Sequence, residues 1–388
     1  MLKDLSLSAV VAGFVAVLVG FTSSVAIVFQ AAQALGATPA QTTSWMWALG
    51  LGMGLTSLGL SLWTRRPVLT AWSTPGAALI AATHGVALPE ATGAFVTCAL
   101  LITLAGATGA FERVMDRLPI AIAAALLAGV LARFGLDAVG MVRTEPVLVV
   151  AMALAFVVGR RLWPRYAVPG VLATGIVVAA AAGQLAWGSV QWGWARPEWV
   201  TPVFTIASTI SVALPLFIVT MASQNLPGVA AQRAAGVEAP VSPTITVTGL
   251  ASLVLAPFGG YALNLAAITA AICMGREAHE DPSRRWVASA AAGVFYIALG
   301  LCGGALVGLL AAFPKALVAA VAGLALVGTI AGALASALEK PGTRDAAAIT
   351  FLVTLSGLTV AGVGSAFWGV VAGGVSLLVQ HWRAPRSH

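Results

Sequence analysis

The sequence predicts an all-α polytopic membrane protein of about 14 transmembrane segments in a 7+7 inverted repeat, two of them broken into half-helices. Three observations carry the prediction. Of the 388 residues, 60% are hydrophobic and 9% charged, with a mean hydropathy of +0.97, which is more apolar surface than a soluble fold can cover. The charged residues stand in short clusters between apolar runs long enough to cross a bilayer. Two of the runs, 68–83 and 259–275, place Gly, Pro and small polar groups directly ahead of a short apolar stretch.

The elements follow in chain order. Span 1 (7–33) starts after Lys3 and Asp4 and carries Thr22, Ser23 and Ser24 near its middle. Span 2 (42–63) holds Gly50, Gly52, Gly54 and Gly59, a small-residue series suited to close helix packing, and stops at Arg65 and Arg66. Span 3 (68–83) is broken around Ser73-Thr74-Pro75-Gly76. Spans 4 (92–110), 5 (118–134) and 6 (146–159) are punctuated by Glu112-Arg113, Pro119 and Arg160-Arg161. Span 7 (167–187) ends at Trp187, where Trp187, Trp192, Trp194 and Trp199 suggest an interfacial aromatic belt and the junction of the two repeats. Span 8 (202–228) is interrupted by Ser223-Gln224-Asn225 ahead of Pro227 and Gly228. Span 9 (241–256) leads into the second broken segment, span 10 (259–275), with Gly259, Gly260, Tyr261 and Asn264. Spans 11 (286–312), 12 (316–337), 13 (346–361) and 14 (365–381) complete the chain.

Charge fixes the orientation. With the N-terminus in the cytoplasm, only Arg133, Arg143, Arg196 and Lys315 of the 20 Lys and Arg fall outside. Adding or removing one span would scramble that bias, so both termini are expected inside. The pI near 10 does not indicate nucleic acid, because no basic tract occurs. The start of span 1, with Ala32-Gln33-Ala34, resembles a secretory signal, but its apolar run is too long for one. Seven spans on each side of the junction invert the second copy, so span 3 corresponds to span 10, which is where both breaks sit.

The stretches Arg66-Pro-Val-Leu-Thr-Ala-Trp-Ser-Thr-Pro-Gly-Ala-Ala-Leu79 and Ala256-Pro-Phe-Gly-Gly-Tyr-Ala-Leu-Asn-Leu-Ala-Ala-Ile-Thr-Ala-Ala-Ile-Cys273 resemble the bacterial benzoate/proton symporter family, and the resemblance extends over essentially the whole chain. It implies a fold similar to uracil permease and the sulfate-transporter-like carriers, with a core domain of 1–112 and 200–313 and a gate domain of 113–199 and 314–388. It implies a secondary transporter of the bacterial inner membrane that imports benzoate or a related aromatic carboxylate with protons, by alternating access. The proton gradient would be the driving force, with no cofactor. A homodimer through the gate domains, as in some relatives of this fold, stays open.

The residues give the expected site its chemistry. A buried carboxylate needs compensation for its lost hydration, and half-helix N-termini offer unpaired N–H groups and partial positive charge. Ser73 and Thr74 lead into the first half-helix, with Pro75 and Gly76 suited to its first positions. Tyr261 and Asn264 stand at the second, and Asn264 is the first choice for a side chain that donates to substrate. Span 1 adds Ser23 and Ser24, and span 8 adds Ser223 and Gln224. Phe21, Trp72, Phe258 and Tyr261 are candidate aromatic walls. By resemblance to uracil permease, Ser223 and Leu263 occupy positions where that family has glutamates, a change that suits an anion. The bland alternatives are Ser hydroxyls bonded one turn back and Trp72 as packing.

Other classes lose support. Cys98, Cys273 and Cys302 are scattered, and His84, His279, His381 and His388 are isolated, so no metal-ligand spacing occurs. No Walker loop or nucleophile–base arrangement is present, which argues against ATP-driven transport and against an enzyme. The competing readings are a nucleobase or inorganic-anion carrier of the same fold and an anion channel on the same scaffold. All 13 acidic residues map to loops or span ends, leaving two routes for a proton: on the substrate, shared with Asn264 or a water, or on a span-end acid such as Asp137.

Overall fold

The computed structural model describes residues 5–81, 83, 85–116, 118–163, 166–185, 194–302, 312–358, 360 and 365–381. The order is α1 (Leu7–Ala34), α2 (Pro39–Thr64), β1 (Thr70–Trp72), α3 (Thr74–Ala81), α4 (Leu88–Ala107), α5 (Ala110–Met115), α6 (Ile120–Gly140), α7 (Pro146–Leu162), α8 (Ala167–Ala181) and α9 (Ile206–Ala234). There follow α10 (Val241–Leu255), β2 (Leu263–Leu265), α11 (Ile268–Met274), α12 (Trp286–Cys302), α13 (Lys315–Leu338), α14 (Arg344–Leu355) and α15 (Ser365–His381). A helix falls in each expected range, and among the described residues 7 helices are long and apolar enough to cross a membrane. Trp187 and Trp192 of the expected belt, and His84, lie outside the described residues.

The all-α expectation misses one element. The two broken segments pair as a short antiparallel ribbon, with Thr70 opposite Leu265, Ala71 opposite Asn264 and Trp72 opposite Leu263. A two-stranded ribbon inside a membrane bundle has two open edges, and lipid offers no partner for them. Side chains close both. The N–H groups of Thr70 and Trp72 donate to Ser57 Oγ (3.0 Å) and Met53 Sδ (3.2 Å) of α2. Those of Leu263 and Leu265 donate to Ser252 Oγ of α10 (2.8 Å) and Asn225 Oδ1 of α9 (2.9 Å).

Span 8 also departs from expectation. Residues 223–225 do not break the chain; α9 runs on past Pro227 to Ala234. Two π-helical turns, Thr209–Ala213 and Met221–Asn225, precede Pro215 and Pro227. Proline clashes with the carbonyl four residues back, and the wider π turn moves that carbonyl aside. Leu214 and Leu226 accordingly donate five residues back, to Thr209 and Met221.

The helices pack in two sets. In one, α2 lies on α12, α4 on α10, and α1 on α12, α3 and α11. In the other, α6 lies on α13 and α14, α7 on α8, and α14 on α15. Contacts of α9 with α6 and of α1 with α13 join them. The glycine series explains the α2–α12 crossing: a Cβ on Gly50 would stand 2.6 Å from Gly300 Cα, and one on Gly54 2.7 Å from the Gly293 carbonyl.

Candidate functional site

The two half-helices begin differently. Ser73 caps α3: its Oγ accepts the Gly76 N–H (3.0 Å) and its carbonyl the Ala77 N–H (2.8 Å). Pro75 has no N–H, so Thr74 keeps the one donor of the first turn that Ser73 does not take up. Ser73 Oγ also accepts the Thr220 hydroxyl (3.0 Å), and its carbonyl accepts the Tyr261 hydroxyl (3.1 Å). No side chain caps α11, and its first satisfied N–H is that of Ala271, on the Ala267 carbonyl. The expected lead-in for this half-helix, Tyr261 and Asn264, lies before it. The helix starts at Ile268, because 263–265 are committed to the ribbon.

A cavity of about 60 Å³ lies beside the ribbon and reaches both half-helix starts. Its polar lining is Ser24, Thr74, Gln224, Thr269 and Tyr296, and its larger apolar lining residues are Val19, Met53, Trp72, Phe134 and Ile268. No charged side chain lines it among the described residues. Trp72 forms a wall held from three sides. Its Nε1–H donates to Ser24 Oγ (2.9 Å), its backbone N–H to Met53, and its ring packs edge-on to Phe21 with centroids 5.9 Å apart. Ser24 Oγ itself donates one turn back to the Gly20 carbonyl (2.9 Å). Gln224 sits half-buried in the second π turn, and its carboxamide makes no hydrogen bond to another described residue. The buried Tyr296 hydroxyl lies against Thr269. Among the described residues, Phe134 is the one lining residue from the α6–α13 set of helices.

The structure thus brings Trp72, Thr74, Ser24 and Gln224 to one cavity, with Phe21 and Ser73 directly behind. Pro75 and Gly76 complete the first turn of α3, where a Cβ on Gly76 would stand 2.6 Å from Leu216. Tyr261 lies outside the lining, in an aromatic cluster with Trp45 and Phe95 (centroids 5.7 and 6.1 Å). Phe258 also lies outside the lining, edge-on to Trp47 and Trp199. Leu263 packs against Gly52 of α2. Ser223 shares the π turn with Gln224 without lining the cavity, and the Ser23 side chain lies outside the described set. Asn264 is fully buried opposite Ala71. Its Nδ2 makes one long bond to the Ala262 carbonyl (3.4 Å), its Oδ1 has no partner among the described residues, and it too is outside the lining.

Sequence reasoning missed Thr269, Tyr296, Met53 and Phe134. Two signals were present: Tyr296 is a tyrosine in the middle of an apolar span in a chain with 3 tyrosines, and Thr269 is a polar residue in the first turn of the helix where the broken segment resumes. Asp137 is an exposed residue of α6, and no carboxylate reaches the cavity among the described residues.

Residues 3–379 match the protein-family model described as "Benzoate membrane transport protein". The chain is 51% identical over 377 residues to inner membrane protein YdcO of Escherichia coli (strain K12), covering 97% of this chain and 96% of that one. It is 40% identical over 372 residues to the benzoate membrane transport protein of Acinetobacter baylyi, covering 96% and 94%. Among solved structures, SLC26A9 superposes with a TM-score of 0.51 at 12% identity, over 98% of this chain and 66% of that one, a likeness of fold.

Proposed function

The chain belongs to the benzoate membrane transport family and is a membrane transporter, and from that premise we propose that it imports benzoate or a related aromatic carboxylate with a proton. The observation that carries this reading is the cavity where the two broken segments cross, with no charge among its described lining residues. A carboxylate placed there meets the uncapped start of α11, the free Gln224 carboxamide and the hydroxyls of Thr74 and Tyr296. The ring meets Trp72, Met53 and Phe134. Neutral donors compensate a carboxylate without fixing it as an arginine pair would, which suits a site that must also release.

The proton then travels on the substrate. The described lining offers no carboxylate or histidine to carry it, and a neutral acid is far cheaper to bury than its anion. The buried Asn264 Oδ1, in the ribbon itself, is an acceptor left unfilled by the described residues and suits a shared proton reached through a small rearrangement.

Around this site the reading is a transporter with both termini cytoplasmic and 14 spans in a 7+7 inverted repeat. One helix set, 1–112 and 200–313, forms a core that moves against a gate of 113–199 and 314–388, with Phe134 the gate's contact to the ligand. The test is radiolabelled benzoate uptake into proteoliposomes under an inward proton gradient. Saturable uptake above protein-free vesicles, collapsed by ionophore and by Gln224→Ala, is expected; uptake no greater than the leak refutes the substrate assignment.

A further inference from the structure

We propose that the cavity at the far end of α11, lined by Arg160, Arg276, Glu277 and Arg285, is a second docking site, which receives the aromatic carboxylate on its way out of the protein; the proposal rests on the substrate reading above. The cavity measures about 320 Å³, within the range of small-molecule sites. Its walls come from both helix sets: Leu127 and Gly328 from α6 and α13, and Met274 from α11. Met274 ends the helix whose first residues, Ile268 and Thr269, line the inner cavity. Seven residues of helix are about 10 Å long, so the two cavities lie at opposite ends of one short rod.

Charge makes this the anion's route. Three arginines face a single glutamate in this cavity. A second large opening between the helix sets carries Glu112, Asp116 and Glu238 against Arg233 among the described residues, and a carboxylate entering it meets like charge. The arginines differ in how far they are committed. Arg285 caps the end of α11, its Nη1 donating to the Met274 carbonyl (2.9 Å) and its Nε to that of His279 (2.8 Å). Arg276 is exposed and makes no hydrogen bond or ion pair with another described residue. Arg160 spans the seam to Glu277 through one loose contact of 3.4 Å, with its side chain 43% exposed and that of Glu277 10% exposed. Glycines make room for the pair: a Cβ on Gly328 would stand 2.9 Å from Glu277 Oε1, and one on Gly275 2.8 Å from Oε2.

A substrate carboxylate fits where Glu277 now sits on Arg160, with Arg276 beside it and Leu127 and Met274 against the ring. Glu277 is then the internal competitor that occupies Arg160 when the site is empty, and its return expels the anion.

The experiment is equilibrium binding of radiolabelled benzoate to the full-length protein in lipid nanodiscs. Two classes of site are expected. Gln224→Ala removes the tighter class, while Arg160→Ala with Arg276→Ala removes the weaker one and leaves the tighter intact, which also shows that the variant is folded. Glu277→Gln tightens the weaker class by up to about five-fold, the ceiling for a partly exposed ion pair, and Arg160→Lys retains it. Raising salt from about 0.05 to about 0.5 M weakens this class selectively. A single class in the wild type, or a weaker class that ignores the arginine substitutions, overturns the second site while the inner one stands. Acetate competing as well as benzoate overturns its aromatic selectivity. No saturable benzoate binding at all refutes the substrate reading itself.

Discussion

The Tyr261 hydroxyl donates to the Ser73 carbonyl at 3.1 Å, across 188 residues of chain. This bond ties the second broken segment to the residue that caps the first half-helix, so the start of α3 is set by both halves of the protein. The same carbonyl also accepts the Ala77 N–H and is not orphaned when the hydroxyl is lost. Tyr261→Phe keeps the ring between Trp45 and Phe95 and is expected to cost about 1 kcal/mol, read as a lower melting temperature in nanodiscs. Benzoate affinity should change less than two-fold. A folded Tyr261→Phe protein that no longer binds benzoate would place the tyrosine on the ligand.

Ser24 and Trp72 form the second coupled pair. Ser24→Ala leaves a buried indole N–H without its acceptor, and such a group costs about 1–3 kcal/mol. Trp72→Phe removes donor and need together, so the double variant should be less destabilised than the sum of the singles. A thermal-melt double-mutant cycle checks this: strictly additive losses would show that the 2.9 Å bond contributes nothing.

The glycines of α2 separate by what they face. Gly54→Ala sets a methyl 2.7 Å from the Gly293 carbonyl, and backbone on a packed helix cannot swing away. A cost of about 1–3 kcal/mol is expected, seen as loss of the monodisperse peak in size-exclusion chromatography. Gly59 has nothing within 4 Å, and Gly59→Ala should leave that peak unchanged.

These contrasts show where the sequence was legible. Apolar runs located the helices, because lipid imposes one long-range rule on each of them. Gly and Pro located both breaks. The ribbon was not legible: each strand has three residues, and its partner lies in the other half of the chain. The alternation of Tyr261, Leu263 and Leu265 was its one local trace. Pro227 and Gly228 pointed to an interruption of span 8, but a π turn keeps the helix continuous where that break was expected. Trp72, Thr74, Ser24 and Gln224 were chosen as polar or aromatic groups beside breaks, and packing brought them together. Tyr296 and Phe134 face the cavity because of how α12 and α6 are rotated against α1 and α13, which no local pattern encodes.

Gln224 gives the sharpest test of where the carboxylate sits. Its carboxamide is half-buried, lies on the cavity and bonds no other described residue, so Gln224→Glu alters charge with almost no change of shape. An ionised glutamate near a substrate carboxylate repels it, by about 4 kcal/mol at 4 Å for an effective dielectric of 20. At pH 7.5 the variant should bind benzoate at least ten-fold more weakly than the wild type. Burial and the bound anion both favour the protonated form of the new acid, so binding should recover as pH falls and the introduced charge is lost. The wild type lacks this extra pH dependence, and the ratio of the two affinities between pH 7.5 and pH 5.5 isolates the effect from benzoate's own protonation. A folded Gln224→Glu protein that binds as tightly as the wild type at pH 7.5 would move the carboxylate away from α9, toward Thr74 and α3.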